Sequence, residues 1–166
     1  MKLMSMPEPE KPTTQLHLER FLPYQLNVGG WFMSRALGRI YGARFGIGIP
    51  EWRVIAQLGE FGKLTSRAVG EMSQMHKTKV SRAVSELESR GLVERSENRE
   101  DRREAFLTLT GPGRKIYEQI VPLALAFEQR LLEGLLPEER LAFERVLATL
   151  TDRARVLSAG YADLDG

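Results

Sequence analysis

Helical and strand-like hydrophobic spacing alternate through the middle of the chain. Val80, Ala83, Val84 and Leu87 recur at intervals of three and four, which puts them on one face of a helix running from about His76 to Arg90. Counted at about 100° per residue, Thr78, Ser81, Arg82, Ser85 and Ser89 lie opposite that stripe, flanked at the N-terminal end by Lys77 and Lys79. Gly91 follows, the residue best able to adopt a left-handed conformation just past a helix. Upstream, Thr65 or Ser66 can cap a shorter helix whose apolar positions are Ala68, Val69 and Met72, and Ser73 to Met75 supplies a turn. Downstream, Leu92 and Val93 open a β-prone run that breaks from Ser96 to Asp101 and resumes from Ala105 to Leu109, the pattern of a hairpin.

Helix, turn, helix and hairpin in that order predict a winged helix-turn-helix within a mainly α fold of about six helices (α+β in the hairpin region). The flanks are helical and strongly apolar. Asn27 to Phe45 carries Val28, Trp31, Phe32, Leu37, Ile40 and Tyr41, more than one narrow stripe requires. A second flank starts at Thr110 or Gly111, with Pro112 in its first turn, where a missing N–H costs nothing. It carries Ile116, Ile120, Leu123, Ala124, Phe127 and Leu131. A last helix begins at Pro137, with Leu141, Val146, Leu147, Leu150, Ala154 and Leu157 along one side. Apolar surface at both ends exceeds what one small hairpin domain can cover, so residues 15–46 and 111–160 are expected to pair two copies of the chain about a two-fold axis. Residues 50–109 form the winged region of a single domain spanning 15–160. The lead 1–14, rich in Pro and Glu, is expected to be disordered, and Gly160 to Gly166 to fray.

The polar face of the second helix decides the chemistry. It is small, hydroxylated and cationic: Lys77, Thr78, Lys79, Ser81, Arg82 and Ser85. Short side chains let a backbone approach the major groove, Ser and Thr bond bases or phosphates, and Arg pairs bidentately with guanine. The hairpin tip adds Arg99, Arg102 and Arg103, suited to phosphates or a minor groove, with Asp101 two residues before Arg103 to orient its guanidinium. Charge placement agrees with this: the chain has a net charge of only +2, but Phe61 to Arg103 holds ten basic and seven acidic residues against fourteen and fifteen elsewhere. The competing reading of the same residues is an ordinary solvated face on a winged-helix module that contacts proteins and has no specific affinity for DNA.

Four segments together resemble the MarR family of winged helix-turn-helix transcription regulators, from about Leu22 to Leu157. They are IPEWRVIAQLGEFGKLTSRAVGEM, KTKVSRAVSELESRGLVER, EDRREAFLTLTGPG and the long flanking helices. The most diagnostic is Asp101, Arg102 and Arg103 followed by Leu109, Thr110 and Gly113. The resemblance implies a homodimer that binds double-stranded DNA at a pseudo-palindromic operator, as a repressor in the simplest case because blocking a promoter requires only occupancy. It also implies release by a small effector such as an aromatic acid or acyl thioester, held between the dimer helices and the winged region. The matching zone contains Tyr24, Asn27, Trp31, Arg35 and Trp52.

Other chemistry is missing from the sequence. Without cysteine there is no thiol switch, disulfide or zinc–thiolate site. His17 and His76 stand far apart with no ligand cluster nearby, and no nucleophile elbow or phosphate-binding glycine loop occurs. Neither a cofactor nor catalysis is expected. No apolar run approaches the ~20 residues a bilayer crossing needs, and no secretion signal stands at the start, so the expected location is cytoplasmic with no membrane partner.

Overall fold

Six helices and a hairpin follow in the order expected. The computed structural model describes residues 15–98 and 104–162. The expected lead 1–14 and the hairpin-tip residues Arg99, Asp101, Arg102 and Arg103 lie outside that range. After a single 3-10 turn (Leu18–Arg20) come α1 (Leu22–Phe45), α2 (Ile49–Phe61), β1 (Leu64–Thr65), α3 (Ser66–Ser73), α4 (Lys77–Ser89), β2 (Val93–Glu97), β3 (Ala105–Leu109), α5 (Gly111–Leu131) and α6 (Pro137–Ala162). The chain divides into two compact units, Met1–Ile120 and Val121–Gly166.

Two features differ from the sequence reading. Strand β2 runs on to Glu97, past the break expected from Ser96, because Ser96 and Glu97 pair with Phe106 and Ala105 of β3. The hairpin also gains a third strand. Leu64 and Thr65 pair antiparallel with Leu107 and Phe106, giving a sheet in the order β1-β3-β2. Two residues are too few to show strand alternation, so this pairing has no signature in the sequence.

The core of the first unit lies where the helical stripes meet the sheet. Val54, Ile55 and Leu58 of α2, Val69 of α3, Val80, Ala83, Val84 and Leu87 of α4, and Leu107 of β3 are all buried, with Tyr41 and Ile47 closing one side. Each fully buried Val, Leu or Ile contributes about 1.5–3 kcal/mol relative to exposure. The stripe on α4 is therefore held firmly, and the face opposite it remains bare.

The C-terminal end of α4 is locked by the Leu-Thr-x-x-Gly segment. Gly91 takes φ 65° just past the helix, and the Leu92 N–H returns to the Leu87 carbonyl at 2.9 Å. The Thr110 hydroxyl donates to the Gly91 carbonyl at 2.6 Å and accepts from the Gly113 N–H at 3.2 Å, so one side chain ends α4's turn and caps α5. Gly113 is buried against Leu92 so closely that a Cβ would overlap the Leu92 carbonyl. We predict that Gly113→Ala costs roughly 1–3 kcal/mol through this backbone overlap. It should lower Tm by several degrees, while Gly111→Ala, which meets only open space, should leave Tm unchanged in the same thermal scan.

Candidate nucleic-acid interface and the cavity beside it

The DNA-facing candidates among the described residues all lie on the exposed face of α4. Thr65 Oγ1 accepts from the Ala68 N–H at 3.1 Å and starts α3, and Gln74, at φ 53°, makes the left-handed turn that ends it. His76 then caps α4, its Nδ1 accepting from the Thr78 N–H at a long 3.4 Å. On α4, Lys77, Thr78, Lys79, Ser81, Arg82 and Ser85 are all exposed, while Val80, Ala83, Val84 and Leu87 are buried.

Charge along α4 is polarised. Lys77, Lys79 and Arg82 occupy its first half and Glu86 and Glu88 its last turn. The helix dipole adds further positive potential at the same N-terminal end. Glu88 is not free to cancel the cations, because Arg95 on β2 pairs with it at 2.7 Å. Positive potential is therefore concentrated where a recognition helix meets base edges.

Two concavities flank α4, both within the first unit. One, of about 490 Å³, is lined by Ser66, Arg67 and Glu71 of α3, Lys77 and Ser81 of α4, Arg95 of β2, and Glu104. Its cations are partly matched: Arg67 pairs with Glu71 at 2.8 Å, and Glu104 stands close enough to act on Arg67. The other, of about 580 Å³, lies beside α1 and is lined by Asn27, Trp31, Ser34 and Arg35 together with Ile49, Pro50, Arg53, Met75 and Lys79. None of its lining residues is acidic, whereas three carry positive charge, so this cavity suits an anion. Arg35 lies over the Trp31 ring, 4.6 Å from its centroid.

Of the five effector candidates read from the sequence, Asn27, Trp31 and Arg35 line this cavity and Tyr24 and Trp52 do not. Tyr24 is exposed near the start of α1. Trp52 joins an aromatic column instead, 5.6 Å from Tyr41 and stacked 6.4 Å from Tyr117. Arg114 lies over Tyr117 and donates to the Gly59 carbonyl at 2.9 Å, tying α5 to α2. Sequence reasoning missed Ser34, Arg53 and Met75 in the cavity. Arg53 had a usable signal, because it lies one turn after Ile49 and Pro50, off the Val54–Leu58 stripe.

The Tyr41 phenol is pushed up to about 12, chiefly by burial, with Arg53 opposing and Glu51 reinforcing the shift. Its unfolded value lies near 10, so the stability it contributes is complete below pH 10 and is lost as pH rises toward 12. Denaturant titrations between pH 9 and 11.5 should show a steeper loss of stability for the wild type than for Tyr41→Phe. Identical slopes would place the titration elsewhere.

Comparison with known proteins agrees with the geometry. A family model described as MarR family matches residues 45–104. YwoH, an uncharacterized HTH-type transcriptional regulator of Bacillus subtilis (strain 168), is 28% identical over 130 residues, covering 78% of this chain and 93% of its own. A MarR/EmrR family regulator from Acinetobacter sp. ADP1 superposes with a TM-score of 0.77 at 26% identity, over 84% of this chain and 99% of its own. Bordetella bronchiseptica BpsR, whose DNA binding is regulated by 6-hydroxynicotinic acid, shares the fold with a TM-score of 0.72 at 24% identity, over 83% and 98% of the two chains. No helix among the described residues is long and apolar enough to cross a membrane.

Proposed function

We propose that this chain is a MarR-family DNA-binding transcription regulator, a cytoplasmic homodimeric repressor released from a pseudo-palindromic operator by a small organic anion. The observation that carries this reading is α4, buried along Val80, Ala83, Val84 and Leu87 and bare along Lys77, Thr78, Lys79, Ser81, Arg82 and Ser85. Ser81, Arg82 and Ser85 read base edges, while Lys77, Thr78 and Lys79 hold the backbone. Arg99, Arg102 and Arg103 add phosphate or minor-groove contacts, with Asp101 as support.

Apolar exposure supports the dimer. In the first unit Trp31 is 50% and Phe32 61% exposed; in the second, Leu141 is 65% and Val156 72%. A single chain leaving that much large apolar surface in water has a partner for it. A two-fold partner puts two reading helices in successive major grooves about 34 Å apart, and hence half-sites about 10 bp apart.

The anion-suited cavity supports the effector class. About 580 Å³ accommodates a one- or two-ring aromatic acid or the acyl end of a thioester, with Trp31 as the stacking face and Arg35 and Arg53 as carboxylate partners. Regulation of BpsR by an aromatic acid supports the same class.

Fluorescence anisotropy against the DNA upstream of its own gene and a scrambled duplex, at two salt concentrations, tests the DNA reading. A preference for the upstream duplex, with log K falling linearly in log salt, is expected. Lys77→Ala should reduce the salt slope by about one and Arg103→Ala should weaken binding to every duplex, whereas Arg82→Ala or Ser81→Ala should cost about 1–3 kcal/mol only at particular base pairs. Equal losses on both duplexes for all four variants would sink the base-reading assignment, and background affinity of the wild type for both duplexes would favour a protein-contact module. For the cavity, we expect an aromatic carboxylate such as 4-hydroxybenzoate to quench Trp31 and weaken DNA binding. Arg35→Ala should remove both responses while leaving operator affinity intact. Persistence of the quench in Arg35→Ala would move the effector to another site.

A further inference from the structure

The C-terminal end of α4 is tied to α1 by a side chain whose position in the sequence gives no sign of it. Arg90 is the C-cap residue of α4. Its guanidinium crosses to α1, where Nη1 donates to the Gly46 carbonyl at 2.8 Å and Nη2 to the Phe45 carbonyl at 2.9 Å. Phe45 is the last residue of α1 and Gly46 its left-handed cap, so both acceptors belong to the end of a helix, where carbonyls lack helical partners and carry the negative end of the dipole. A planar fork satisfies two neighbouring carbonyls at once and fixes the angle between the groups it joins. An ammonium on a flexible stem does not fix that angle.

The other end of α4 meets α1 differently. Lys79 lines the same cavity as Trp31 and Arg35 of α1. One end of the recognition helix is thus pinned to α1 by directional bonds, while the other end borders space that a ligand can fill.

We propose that Arg90 is a positioning residue that pins the recognition helix to α1 and that this pin holds the half-site spacing. On the regulator reading α1 belongs to the dimer surface, so any tilt of α4 against α1 becomes a change in that spacing. For this readout the inference rests on the regulator reading above; the pin itself does not. The Thr110 bond to Gly91 joins α4 to α5 rather than to α1, and the buried stripe from Val80 to Leu87 is untouched, so Arg90 variants keep the fold.

The chain has no cysteine, so Arg39→Cys on α1 and Ser85→Cys on α4, both exposed, accept spin labels cleanly. Labelled full-length chain is diluted into excess unlabelled chain, and the intramolecular distance distribution is measured by double electron–electron resonance. A narrow distribution is expected with Arg90 and one about twice as broad with Arg90→Ala, with Arg90→Lys in between. In parallel, unlabelled proteins are titrated with a duplex selected by the wild type from a random pool, and with the same duplex after its half-sites are moved apart by one base pair. The wild type should lose about tenfold in affinity on the shifted duplex and Arg90→Ala less than about threefold, with both binding an isolated half-site equally.

An unchanged distance distribution in Arg90→Ala overturns the pin. A broadened distribution with the wild-type spacing penalty intact overturns the role of the pin in spacing. Selection of no sequence by the wild type would break the regulator reading, and the distance widths alone would then decide whether Arg90 holds α4.

Discussion

The contact on which the structure depends is the backbone approach at the end of α4, where Gly113 sits against the Leu92 carbonyl and Thr110 holds Gly91. A recognition helix must leave half of its circumference empty, so its orientation comes from one buried stripe and its two ends. Hydrophobic burial fixes the stripe without direction. Direction comes from the ends, and at the C-terminal end it comes from the Arg90 fork and from groups that meet because Gly113 has no Cβ. The same seam sets where β3 stops and α5 begins, so the hairpin, the recognition helix and the exit helix share one joint.

Electrostatics is arranged around that frame. The cations of α4 occupy its free half and its carboxylates the locked half, where Arg95 engages Glu88. Burying the same charges would cost several kcal/mol per ion. On an exposed helix they cost little and remain available to a polyanion. The cavity beside α1 repeats the pattern at smaller scale, with Arg35, Arg53 and Lys79 around an apolar wall and no carboxylate among its lining residues. Lys79 belongs both to the recognition helix and to the cavity, which places the two surfaces within reach of one side chain.

Periodicity made α4 legible to within a residue at each end, because a four-residue stripe, a capping His76 and a following Gly91 all mark the same boundaries. The Thr65 cap and the hairpin strands were legible for similar local reasons. Three features were not. Strand β1 is two residues long and exists through its pairing with Leu107 and Phe106, a tertiary cause. Trp52 is spaced as well for a cavity wall as for the core, and only the packing of Tyr117 across Gly59 decides between them. Arg90 reads as one more charge before a glycine, because its partners lie on a helix more than forty residues earlier. Helix ends and side-chain forks act across the fold, and hydrophobic spacing does not record them.

On the proposed reading, two such helices, held rigidly, read DNA as a pair. Hydroxyl-radical footprinting of the full-length protein on a duplex it has selected tests this most directly. Two protected windows are expected on one face of the duplex, about one helical turn apart and centred on major grooves. A single short window, or uniform protection independent of sequence, would contradict it.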